Sequence, residues 1–291
     1  MIRSLPKPHP DYPIQPKKQR LPQRNRMTLA LAMVCEGGLM LATDTRLAYG
    51  DGSISHAEKL TGFQSGSATY VIAHSSEDAH AAFSLIGEIR LKLENADPQT
   101  FAVLESAVRD VMRKWYVPVY DNRPIMRLLL GASIQGRVEC GLYFCEPPNT
   151  VTRIYADYKA VGDGWFVSDS IYNCWFQNSP QSPHTRLCQI SYLMYKAKQL
   201  LPGSIGGDTD VAFLTEPLTV PYWIGREDMA NAEAKGAFLD RQISAFASST
   251  ISGSTGDDKT ILQIAQGIYS VNLLYAPLAF RCQFPDKTIR K

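Results

Sequence analysis

The sequence holds no apolar run near the roughly 20 residues that a membrane-spanning helix needs; runs such as 128–130 or 211–214 are a few residues long. It also holds no C-x-x-C pair. Its six cysteines, Cys35, Cys140, Cys145, Cys174, Cys188 and Cys282, are scattered, and no Cys/His group has the spacing of metal ligands, which argues against zinc. No Gly-rich loop of the phosphate-cradling kind is present, so nucleotide binding through such a loop is excluded. There is no secretory apolar segment either, and the expectation is a reducing cytoplasmic setting. Cys35, Cys140 and Cys145 fall in strand-like apolar stretches, where a free thiol acts as a small hydrophobe.

What is present is the composition of an ordinary globular chain, 45% hydrophobic and 20% charged over 291 residues. The net charge of +2 conceals an asymmetry. Residues 1–26 carry seven Lys/Arg against Asp11 alone, and six of the eighteen prolines; the remainder is mildly acidic. Such a head cannot bury enough surface to offset the entropy of ordering. Residues 1–27 are expected to be a basic, Pro-rich extension or propeptide, and 28–291 a single domain. The acidic body offers no electrostatic footprint for nucleic acid. The head could touch RNA or membrane phosphates, but a short basic tail is ordinarily a solvated one.

From residue 28 the pattern changes. Residues 28–35 (TLALAMVC) and 39–43 (LMLAT), joined by Glu36-Gly37-Gly38, read as a hairpin buried on both faces. Residues 59–63 and 68–74 read as a second pair. Apolar residues three and four apart predict a helix over 76–93, with Ser76 as its N-cap, and another over 98–115 opening at Pro98. Strands are expected at 125–134, 138–145, 151–155 and 158–161, and helices at 164–175 and 186–201. A strand at 211–215, a helix at 227–246 and a strand at 260–266 complete the chain. Strand runs alternating with helix pairs favour α+β layers over a doubly wound sheet.

Thr28-x-Ala30-Leu31-Ala32, then Gly38, then Leu41-Ala42-Thr43-Asp44-Thr45-Arg46, resembles the start of proteasome β subunits and their bacterial relatives. Tyr49-Gly50-Asp51-Gly52-Ser53-Ile54-Ser55 followed by Lys59 continues the likeness. Residues 73–79 (AHSSEDA) resemble the Ala-Gly-Gly-Thr-Ala-Asp-Ala stretch of the HslV branch, and Val161-Gly162-Asp163-Gly164 stands at its Gly-Ser-Gly turn. The likeness is close over about 28–95 and sparser over 158–215.

The resemblance implies a four-layer αββα sandwich of the N-terminal-nucleophile type, with Thr28 as the nucleophile. Its hydroxyl would attack an amide carbonyl while its own α-amine, ordinarily titrating near pH 8, takes the proton. That amine exists only once residues 1–27 are gone, by translation from Met27 or by autoproteolysis. Lys59 would lower the hydroxyl's pKa, and Asp44 would hold Lys59 charged and oriented. The family's lysine stands one residue further on; Lys59 is the only lysine between Thr28 and Lys92. Arg46 would pair with carboxylates. His74, with Ser75 beside it, falls at the family's oxyanion donor, and Asp163, between Gly162 and Gly164, replaces a serine that bonds the terminal amine. Ser204 and Asp208 are weaker correspondences.

The reading is a threonine endopeptidase acting through an acyl-enzyme, without metal or organic cofactor. Its expected partners are peptide or unfolded-protein substrate and further copies in a homo-oligomeric ring; any ATPase unfoldase is left open. The alternatives are an inert subunit of the same fold and an amidohydrolase acting on a small-molecule amide.

Overall fold

The computed structural model describes residues 28–49, 52–117, 123–137, 139–215 and 220–251; the extension at 1–27, the strand expected at 260–266 and Cys282 lie outside them. Two five-stranded antiparallel sheets carry the fold. The first runs β10 (Tyr158–Gly162), β1 (Leu29–Cys35), β2 (Gly38–Asp44), β11 (Thr209–Thr215), β12 (Tyr222–Ile224). The second runs β5 (Leu60–Ser65), β6 (Ala68–Ser76), β7 (Met126–Ile134), β8 (Gly141–Glu146), β9 (Thr150–Ile154). A short ribbon, β3 (Arg46–Ala48) with β4 (Ile54–His56), leaves the end of β2.

These strands read as continuous apolar runs because both of their faces are covered. Alternation then sorts the side chains. Leu29, Leu31 and Met33 of β1 pack with Ile190 and Leu193 of α4 (Pro183–Leu200) and Met229 of α5 (Arg226–Ile251). Ala30 and Ala32 face the other way, against Leu129, Val71 and Ala73 of the second sheet. The second sheet's far face, through Tyr70, Ile72 and Leu128, meets α1 (Ala79–Ala96) and α2 (Phe101–Tyr116). Arg186, fully buried, locks α4 to β1 through the Val34 carbonyl at 3.0 Å and Asp157 at 2.6 Å.

Three local expectations are corrected. The cap of α1 is Asp78, whose Oδ1 accepts from His80 and Ala81; Ser76 is still strand, and its hydroxyl donates to the Asp78 carbonyl at 2.6 Å. α2 begins at Phe101, capped by Thr100, rather than at Pro98. The helix expected over 164–175 is α3 (Trp165–Ile171) continued by a π-helical turn, Tyr172–Phe176. The ribbon strands and β12 had no forerunner in the sequence reading. Among the described residues no helix is long and apolar enough to cross a membrane.

Candidate active site

Thr28 stands just before β1, on the side facing the second sheet, and is buried. Among the described residues its Oγ1 has no hydrogen-bond partner. Its carbonyl oxygen accepts twice, from the Asp163 N–H at 3.0 Å and from Ser75 Oγ at 3.1 Å. Antiparallel register sets the first of these contacts, since Leu29 lies opposite Gly162 at the end of β10. Gly162 has φ +97°, and a Cβ there would collide with the Thr28 carbonyl and Ser75 Oγ; only glycine fits both demands. Gly164, by its bare α-carbon, admits Ile205 and Leu29.

Asp44 closes β2, fully buried and fully used. Its Oδ1 accepts the Leu29 N–H at 3.1 Å and lies 3.4 Å from Lys59 Nζ. Its Oδ2 accepts the N–H groups of Gly206 at 3.0 Å and Arg46 at 3.3 Å. Lys59 Nζ also donates to the Arg46 carbonyl. Burial pushes the Asp44 carboxyl up, and the Lys59 charge and the amide donors only partly oppose this. Burial likewise pushes Lys59 down to about 8, with Asp44 opposing. A lysine titrating there can hold a proton or give it up near neutral pH.

His74 is placed differently from the expectation. Its main-chain N–H is taken by the Lys59 carbonyl at 3.1 Å, so it is not free to meet an oxyanion. Its ring shares the face of Tyr70 and Ile72 and meets Phe83 of α1 edge-on at 5.5 Å. Successive residues of a strand point to opposite faces, so the imidazole lies across the sheet from Thr28, and Ser75 is the one that faces it. Burial pushes His74 down to about 3, and among the described residues both ring nitrogens lack partners. Arg46 also departs from expectation: among the described residues its guanidinium meets the Pro202 carbonyl, packed on bare Gly206, rather than a carboxylate. Asp163 is half-buried and meets Thr28 through its main-chain N–H. Asp208 exchanges bonds with Thr45 through its own main chain, 3.0 Å each way.

Asp210 was missed. It faces Thr43 across β2–β11, its charge supports the protonated form of Lys59, and Arg226 grips it at 2.6 and 3.1 Å. The signal available was an aspartate opening the apolar run 209–215. A cavity of about 430 Å³ beside it is walled by Leu60, Gly62 and Trp223. A larger one, about 970 Å³, lies among α3, α4 and α5 and touches none of these groups. Among the described residues no group of three or more His, Cys, Asp or Glu is arranged to hold a metal ion.

No family model matches the chain, and no curated protein matches it in sequence. Solved structures do match. A Gly-1 mutant of Anbu from Hyphomicrobium sp. strain MC1 superposes with TM-score 0.64 at 17% identity, over 76% of this chain and 96% of that one. Anbu, described as an ancestral β-subunit, from Yersinia bercovieri gives 0.61 at 18% identity, over 76% and 97%. Anbu from the same Hyphomicrobium strain gives 0.58 at 20%, over 76% and 97%. The chain therefore has a mixed α/β, proteasome-like fold. These matches correct the resemblance drawn from the sequence: they are Anbu proteins, not HslV or proteasome β subunits, and at such identity they show the fold alone.

Proposed function

We propose that this protein is an N-terminal-nucleophile hydrolase of αββα architecture, a threonine endopeptidase with Thr28 as nucleophile. One observation carries the reading: a single carboxylate oxygen, Asp44 Oδ1, holds both the amide that follows Thr28 and the Lys59 ammonium. That contact fixes a cation relative to the threonine, with all three residues buried.

With Thr28 as the first residue, its α-amine accepts the Oγ1 proton as Oγ1 bonds to the substrate carbonyl carbon. The Lys59 charge stabilises the developing alkoxide. The C–N bond breaks, the leaving amine takes the proton, and the Oγ1 ester is hydrolysed by water. β3, which among the described residues pairs with β4 alone, gives an extended peptide an edge to join. Assembly into a ring enclosing the sites belongs to the same reading.

A second reading, an inert subunit, is favoured by the burial of Thr28 and by the engagement of the His74 N–H with Lys59. Hydrolysis of a fluorogenic peptide panel by a chain beginning at Thr28, compared with Thr28→Ala, separates the two. Turnover lost in the variant supports the hydrolase; equal rates in both chains support the inert subunit. Turnover of small amides but not peptides would identify an amidohydrolase.

A further inference from the structure

We propose that Ser75 is a positioning residue that sets Thr28 against Lys59 by tying the two sheets together at the site. The proposal rests on the hydrolase reading above. Thr28 opens β1 in the first sheet; Lys59 immediately precedes β5 in the second. Their separation is therefore a distance between sheets, bridged by Asp44 Oδ1 between the Leu29 N–H and Lys59 Nζ and otherwise held by apolar packing between Ala30, Ala73 and their neighbours, which has no direction.

β6 supplies a second directed tie. Consecutive residues of this strand hold the two carbonyls that matter: the His74 N–H holds that of Lys59 at 3.1 Å, and Ser75 Oγ holds that of Thr28, also at 3.1 Å. The first bond stays within the second sheet; the second crosses to the first. Ser75 is wholly buried, so water does not compete for its hydroxyl. Gly162 closes on the same point, where a Cβ would collide with both the Thr28 carbonyl and Ser75 Oγ. The Thr28 carbonyl is thus pinned from both sides, by Asp163 N–H and Ser75 Oγ. Fixing that peptide plane fixes the axis of the Thr28 Cα–C bond, about which the amine and the side chain turn, and so narrows the positions that the amine and Oγ1 can take. Ser75 touches no reacting atom and acts through the Thr28 main chain. Small misplacements of a nucleophile lower rates steeply while leaving binding alone.

The test uses chains beginning at Thr28: wild type, Ser75→Ala and Thr28→Ala, assayed with a fluorogenic peptide and a peptide epoxyketone. The epoxyketone reacts with the hydroxyl and the amine of one threonine, so its endpoint counts competent sites and its rate reports their orientation. In Ser75→Ala we expect an unchanged endpoint, KM within about twofold, and kcat and labelling rate both lower by roughly tenfold or more. Rates per labelled site within twofold of wild type overturn the proposal, as does a loss explained by a lower endpoint or confined to KM. Should Ser75→Ala fold poorly, Ser75→Thr, which keeps the hydroxyl, must recover the rate per labelled site; failure to do so in a folded chain also overturns it. If wild type and Thr28→Ala are alike in both assays, the hydrolase reading itself falls, and the positioning role with it.

Discussion

The Lys59 ammonium lies 3.4 Å from Asp44 Oδ1, with both side chains cut off from solvent. A buried pair of this kind is weak evidence for stability, because desolvation offsets its attraction. It makes better sense as a tuned group. The lysine sits at the tip of β2 because β5 begins one residue later, and the carboxylate is held by three amides that leave it no other orientation.

Activity should fall as pH rises through about 8, where Lys59 loses its proton. The rising limb belongs to the α-amine, which must be neutral to act as base and ordinarily titrates near the same pH. Asp44 favours the protonated lysine, so Asp44→Asn should move the falling limb to lower pH and lower kcat at pH 7.5 by roughly a hundredfold, the scale of a lost charge-orienting group. A kcat/KM profile from pH 5 to 10 reads both effects; an unmoved falling limb contradicts the role given to Asp44.

His74→Leu should leave kcat within about threefold of wild type, because the imidazole faces α1 rather than Thr28. Stability should respond. With its pKa lowered in the folded chain to about 3, the neutral ring favours the fold above the unfolded value of about 6.5, and that contribution is lost as pH falls from there toward 3. The wild type should lose up to about 1.4 kcal/mol per pH unit more than the variant across that window. Denaturant titrations at pH 7, 6 and 5 measure it; parallel slopes count against a buried neutral His74.

Gly162→Ala should abolish Thr28-dependent turnover and lower stability by roughly 2–4 kcal/mol. Strain at positive φ and the collision with the Thr28 carbonyl act together there. Thermal unfolding and peptide turnover check it, and an active, stable variant would mean that this turn is not what holds Thr28.

Arg186→Met should destabilise the chain by roughly 3 kcal/mol, because it strands Asp157 and the Val34 carbonyl under α4. Chemical denaturation gives the number. A change below about 0.5 kcal/mol would show that the helix is held by its apolar face alone.

Much of the scaffold was legible because burial on both faces writes itself as uninterrupted apolar residues. Residues 28–35 and 39–43 read as a hairpin, and the structure has Leu29–Cys35 paired with Gly38–Asp44. The three-residue strands Arg46–Ala48, Ile54–His56 and Tyr222–Ile224 were invisible, since so short a segment carries no period. The cap of α1 moved from Ser76 to Asp78 because β6 runs two residues further than its apolar run. At the site, alignment to a family placed His74 in the pocket, yet parity with Tyr70 and Ile72 already put its ring on the opposite face. Asp210 and the Ser75–Thr28 contact, 47 residues apart in sequence, depend on which strands lie side by side, which local pattern does not encode.

The proposed hydrolysis requires Thr28 to bear both a free amine and a reactive hydroxyl. Mass spectrometry of the native protein after exposure to a peptide epoxyketone tests this most directly. We expect a mature chain beginning at Thr28, one adduct per chain mapped to that residue, and none in Thr28→Ala. A chain still carrying the residues before Thr28, with no adduct, would contradict the account.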